Sequence, residues 1–302
     1  MFSFTKQFTL HATLALLLAG SAFAANDLKP EEVLRRHLDS IGTAAARAAA
    51  KSRVVEGTAS YQVLVGGSGV IHGNAVMVSE GRRLQLRLKI VASRYNGEKF
   101  LSDGDKTFVE GTYEDHSRSE LGQFLRGEDF ALREGLLGGA LSTAWPLLDL
   151  DARKGKLKYE GRKKVDGTEL EVVSYHPKKN TDMDITLYFE PETFRHVRTV
   201  YSVSQAPGLA PPQALAVTDQ GPGVTAAGSS DIDSARRQQT RYRIEERFGD
   251  FKLADGLTLP SHYELRFTEE LAGGFTKSVE WQVNTTRVLN NVTLDPRNFQ
   301  IP

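Results

Sequence analysis

The sequence predicts an α+β, mainly β fold, with roughly ten to twelve antiparallel strands and a few helices. Three observations predict it. Apolar and polar residues alternate in short runs along most of the chain, tight polar turns join those runs, and helical patterning is confined to residues 29–52 and 117–150. The clearest alternation is RRLQLRLKIV (82–91), where Leu84, Leu86, Leu88 and Ile90 are separated by Gln85, Arg87 and Lys89. Side chains of a strand point alternately to its two faces, so this segment has one apolar face and one charged face directed to water.

Taken in order, residues 1–24 read as a secretory signal peptide. Lys6 precedes a mostly apolar run that ends Ala22-Phe23-Ala24, a small-x-small cleavage pattern. No Cys follows the run, which argues against a lipid anchor, and no later segment has the ~20 apolar residues of a membrane span. A periplasmic, exported chain, a monomer with no span after signal removal, is the expectation. Residues 25–302 then form one domain. Charge is balanced, with 38 basic and 38 acidic residues, so neither nucleic acid nor an anionic lipid surface is favoured by composition. There are no cysteines, so a buried core must stabilise the fold without disulfides.

Lys29 to Ser52 is helical. Pro30 suits a first turn, Glu31 and Glu32 favour its positive end, Val33, Leu34, Leu38 and Ile41 form an apolar stripe, and Gly42 stops or kinks it. Strands follow at 54–65 and 70–79 through Gly-Gly-Ser-Gly, then the opening stretch, 93–102 and 106–113. Residues 117–150 carry two or three short helices, and Leu136, Leu137, Leu141, Trp145, Leu147 and Leu148 make 136–148 apolar nearly all round. That stretch reads as core, as a mobile lid flexing at Gly138-Gly139, or as a docking face. Strands resume at 156 and continue through FRHVRTVYSV, before a Pro- and Gly-rich insertion at 204–235 of flexible, loop-like composition. RYRIEERFGDFKL, LTLPSHYELRF and FTKSVEWQVNTTRV complete the sheet.

One-sided alternation recurs at Ile185, Leu187 and Phe189, at Tyr242, Ile244 and Phe248, at Tyr263, Leu265 and Phe267, and at Val279, Trp281 and Val283. About eleven strands span ~50 Å, whereas three helices cover ~30 Å. The sheet must therefore curl on itself, leave a hollow, or fold into two layers, and periodicity does not choose among these.

Catalytic patterns are weak. His37, His72, His116, His176, His196 and His262 show neither HExxH nor an i, i+4 pair, and they read as surface or strand-edge residues, with His196 turned away from Val197. Asp103, Asp105, Thr107 and Glu114 match calcium-loop spacing, but Phe108 stands where the loop needs Gly, so a hairpin turn fits better. Gly66-Gly67-Ser68-Gly69 lacks the nucleophile-elbow pattern. No enzyme, metal or cofactor is expected.

Three phrases carry a resemblance: EEVLRRHLDSIG leading into KSRVVEGTASY, YEGRKKVDGTELEVVSY followed by TLYFEPETFRHVRTVY, and FGDFKLADGLTLPSHYELRF. They resemble the LolA/LolB-like periplasmic lipoprotein-carrier family, and within it the outer-membrane lipoprotein-sorting-like members. The resemblance implies a strongly curved antiparallel half-barrel of about eleven strands closed by a few helices, with a cavity for acyl chains. Leu84, Leu86, Leu88, Ile90, Leu187, Phe189, Leu265, Phe267 and Trp281 would line it, and Leu141 and Trp145 would belong to its lid. The partner would be a lipid or an acylated lipoprotein, and the alternative is an envelope protein-interaction or sensor module with a filled core. The family's lid-contacting arginine is matched to no residue here, and the 204–235 insertion departs from the family's tight connection.

Overall fold

The computed structural model describes residues 28–92, 95, 97–111, 119–179, 181–205, 240–271 and 274–302. The expected signal peptide, His116 and residues 206–235 of the expected insertion lie outside them.

Helix α1 (Pro30–Ile41) starts on Pro30 with Glu31 and Glu32 in its first turn, and its chain turns away at Gly42. Thr43 caps the short α2 (Ala44–Ala49) by accepting from the Ala46 amide. Then come β1 (Ser52–Val65), β2 (Val70–Glu80), β3 (Arg83–Ile90), β4 (Glu98–Ser102) and β5 (Thr107–Gly111) as an antiparallel meander. Asp103 makes the β4–β5 turn by accepting from the amides of Asp105 and Lys106, so the calcium-like spacing is a hairpin.

The middle holds α3 (Glu120–Gly127), α4 (Phe130–Arg133), α5 (Leu150–Arg153) and two 3₁₀ turns at Gly139–Leu141 and Pro146–Leu148. The second meander is β6 (Lys156–Val165), β7 (Thr168–His176), β8 (Asp184–Phe189) and β9 (His196–Gln205), followed by β10 (Thr240–Gly249). A small hairpin, β11 (Lys252–Ala254) and β12 (Leu257–Leu259), precedes β13 (His262–Glu270) and β14 (Thr276–Asn290). Ser204 and Gln205, expected in the insertion, belong to β9.

Twelve strands form one open antiparallel sheet in the order β5-β4-β3-β2-β1-β14-β13-β10-β9-β8-β7-β6. The long strands β1 and β14 pair at its centre, and the chain reaches the second half by crossing from edge strand β5 to the opposite edge strand β6. The described part of that crossing, residues 119–155, lies over the face that carries most of the sheet's buried apolar residues. Residues from both halves of the sheet join those of the crossing segment in one apolar cluster, so the sheet is wrapped around the segment.

The opposite face is charged. Glu245 accepts ion pairs from Arg198, Arg243 and Arg247, and Arg266 pairs with Glu280. One part of it is covered: Phe299, from the C-terminal turn, packs on Val78 and Leu101, and Gln85 donates to the Asn298 carbonyl. Gln85 was expected in water and is buried for that reason.

Candidate functional site: the covered concave face

Every residue expected to line a ligand site lies on this one face or in the segment covering it. Leu84, Leu86, Leu88 and Ile90 of β3, Leu187 and Phe189 of β8, Leu265 and Phe267 of β13, Trp281 of β14, and Leu141 and Trp145 of the segment are all buried in the same cluster. The period-2 pattern places the strand residues there, and the pairing of Leu86 with Met77, Leu265 with Trp281, and Phe267 with Val279 extends the wall from strand to strand.

Where a hollow was expected, buried side chains of the described residues occupy the face. A pocket there, bounded by His37, Ile41, Ala140, His196, Phe248 and Pro260 among others, has a volume of about 10 Å³. That is at the limit for one water molecule. Helix widths misjudge the covering because the 136–148 stretch is not a helix laid across the sheet. Gly135, Gly138 and Gly139 take positive φ angles, and Pro146 starts a new turn. The stretch therefore folds inward, and Leu136, Leu137, Leu141, Trp145 and Leu147 fill the concavity. Close seating needs the glycines: a Cβ on Gly138 would lie 2.3 Å from the Met77 methyl, and one on Gly139 would lie 2.9 Å from the Phe248 ring.

Side chains of the sheet and of α1 hold this segment by its polar backbone and its indole. Arg53, buried in β1, donates to the Ala140 carbonyl at 2.6 Å and to Asn290 at 2.8 Å. Burial pulls its guanidinium down to about 10. Glu246, fully buried in β10, accepts from the Gly138 amide at 2.7 Å and from the hydroxyls of Tyr263 at 2.7 Å and Tyr201 at 2.6 Å. Burial pushes its carboxyl up to about 7 against those three hydrogen bonds. From β2, Ser79 accepts from the Thr143 amide at 2.9 Å, and within the segment itself Arg153 donates to the carbonyls of Glu134 at 2.7 Å and Ala144 at 2.8 Å.

The histidines depart most from expectation. His37 and His196 are buried, with ring centroids 6.0 Å apart, and Trp145 stacks on His196 at 4.9 Å. The Trp145 indole donates to Nε2 of His37 at 3.3 Å, so the His37 proton sits on Nδ1 and is donated to the Phe194 carbonyl at 3.1 Å. Burial holds His37 down at about 4 and His196 well below the ordinary imidazole value. His196 points inward because the β8–β9 register shifts between Tyr188 and Phe189, which turns His196 out of phase with Arg198. A bulge of this kind leaves no mark in the alternation.

Among the described residues, no group of three or more His, Asp or Glu side chains is placed to hold a metal ion, and no helix is long and apolar enough to cross a membrane.

No protein-family model matches this chain, and no curated protein does either. Solved structures do. A DUF1329 family protein from Desulfovibrio piger is similar at 12% identity and TM-score 0.46, over 90% of this chain and 98% of that one. A LolA superfamily protein from Nitrosomonas europaea is similar at 12% identity and TM-score 0.44, over 91% and 98%. A domain from Vibrio parahaemolyticus assigned to outer membrane lipoprotein sorting is similar at 9% identity and TM-score 0.42, over 90% and 97%. These neighbours include the family that the sequence phrases resemble. Likeness at this level concerns the arrangement of the chain and carries no ligand with it.

Proposed function

We propose that the protein binds acyl chains, of a lipid or a lipidated protein, on the concave face of its sheet in the periplasm, and that residues 119–153 leave the face when a ligand enters. One observation carries the reading: a continuous apolar wall of twelve strands is covered by an irregular, glycine-jointed segment instead of a second sheet or a long helix. Its fastenings, from Arg53, Glu246, His37 and Ser79, are individual hydrogen bonds. An acyl chain replaces apolar contacts with apolar contacts, so the wall loses little when occupants exchange. The binding is non-catalytic.

A second reading is favoured by the filled interior. On it the segment is permanent core, and the protein is an envelope module that binds a protein partner through its surface.

A disulfide lock separates the two. The chain has no cysteine of its own, and the Thr143 amide donates to the Ser79 hydroxyl at 2.9 Å, so a Ser79→Cys, Thr143→Cys pair sits on neighbouring elements, with bridge formation checked by thiol titration. The reduced variant is expected to take up a fluorescent fatty acid and the oxidised one to refuse it, with unchanged circular dichroism. Equal uptake in both forms, or none in either form or in the parent protein, would leave the second reading.

A further inference from the structure

A second cavity, of about 240 Å³, is lined by none of the residues of the apolar cluster. Elements near both edges of the sheet meet there. The β2–β3 turn supplies Arg82, the β4–β5 turn Gly104 and Asp105, the β7–β8 loop Lys178 and Lys179, and the ends of α4 and α5 supply Arg133, Glu134, Arg153 and Lys154. Six cationic side chains thus face two carboxylates in a chain whose net charge is zero.

Arg133 is paired with Asp129 at 3.1 Å, and Arg153 with Asp149. Arg82, Lys154, Lys178 and Lys179 have no ion pair among the described residues, and Asp105 and Glu134 have none either. Unpaired cations brought together from three separate elements, the β2–β3 turn, the end of α5 and the β7–β8 loop, repel one another unless anions lie between them. Among the lining residues, Nε of Arg133 also has no hydrogen-bond partner.

We infer that this cleft binds a phosphate-class oxyanion, presented either by the headgroup of an anionic lipid or by the free ion. A multi-oxygen anion suits a site of several convergent Lys and Arg donors, and the cleft is smaller than the pockets that engulf drug-sized molecules. Its place in the fold adds a consequence that rests on the acyl-binding reading. Arg153 lines the cleft while holding the Glu134 and Ala144 carbonyls of the covering segment. A headgroup anchored here contacts α4 and α5 of the very segment that its own acyl chain displaces.

Three probes test this on the full protein and on a Lys178→Glu, Lys179→Glu variant, both positions being exposed. They are vesicles of phosphatidylcholine with or without phosphatidylglycerol, inorganic phosphate, and an uncharged fluorescent acyl ester. Parent protein is expected to prefer phosphatidylglycerol vesicles by about tenfold, with inorganic phosphate competing. The variant is expected to lose that preference while taking up the uncharged ester unchanged. Phosphate binding that the variant abolishes, without any vesicle preference, assigns the cleft to the free ion. Absence of both preference and phosphate binding, or their persistence in the variant, overturns the inference. If the uncharged ester never enters but the anion effects stand, the cleft survives and the acyl-binding reading fails.

Discussion

Glu246 occupies an inward strand position between Ile244 and Phe248, and its neighbours decide how it titrates. Its carboxyl is raised from 4.5 to about 7, first because it is buried. Folding therefore favours its protonated form, and the stability it supports is fully present below about pH 4.5 and falls as pH rises to about 7. His37 acts in the opposite direction: lowered from 6.5 to about 4 by burial, it withdraws stability as pH falls through that interval. A Glu246→Gln substitution isolates the first effect. Relative to the parent, the variant is expected to gain stability between pH 5 and pH 8, by up to ~3 kcal/mol, read from urea unfolding at each pH. A pH-independent difference would show that Glu246 stays ionised throughout. Sequence reading had no access to this residue, because alternation assigns a face and not a partner. Only the fold brings Tyr201, Tyr263 and the Gly138 amide to one carboxyl. Arg53 was hidden in the same way, its partners Ala140 and Asn290 lying far along the chain. Leu84, Leu86, Leu88 and Ile90 were legible because burial at every second place needs no distant information.

At the scale of elements, α1 was readable from its proline, acidic first turn and terminal glycine, all of them local signals. The covering segment was readable in composition but not in shape. Its leucines suggested an apolar helix over 136–148, whereas Gly135, Gly138 and Gly139 at φ 70°, 82° and 49° break any helix there. The two glycines of the Gly138-Gly139 pair differ in what surrounds them, and that difference is testable. At Gly138 an added methyl meets the flexible end of Met77, and at Gly139 it meets the ring of Phe248 and the imidazole of His196. Both substitutions carry backbone strain of ~1 kcal/mol, but only the second forces rigid rings apart. Gly139→Ala is accordingly expected to destabilise by a further ~1–3 kcal/mol of overpacking relative to Gly138→Ala, read as a lower melting temperature. Equal melting shifts would mean that the segment moves aside at no cost, and that its close seating on the wall contributes nothing.

For the whole molecule, the width of the sheet was estimated well and its filling was not. About eleven strands were expected and twelve pair. A wall that wide does exceed what α1 and a few short helices cover, but the chain closes the gap by sending one irregular segment from edge to edge with its large side chains inward. The filled interior sets a size requirement on any acyl ligand. Leu136, Leu137, Leu141, Trp145 and Leu147 are fully or almost fully buried, and exposing all five costs ~10 kcal/mol at ~2 kcal/mol each. A methylene transferred from water to the wall returns ~0.8 kcal/mol, so about a dozen are needed to offset the displaced segment. Binding should therefore show a threshold in chain length and not a gradual rise from the shortest acids. In a displacement series of saturated fatty acids, eight-carbon chains are expected to leave the fluorescent probe in place and sixteen-carbon chains to remove it. Shorter chains should become competent when the cover is loosened by Arg53→Leu, which strips the Ala140 carbonyl of its donor. Equal affinity across the series would place the binding surface outside the covered wall, because no ligand that avoids displacing those five side chains would feel the threshold.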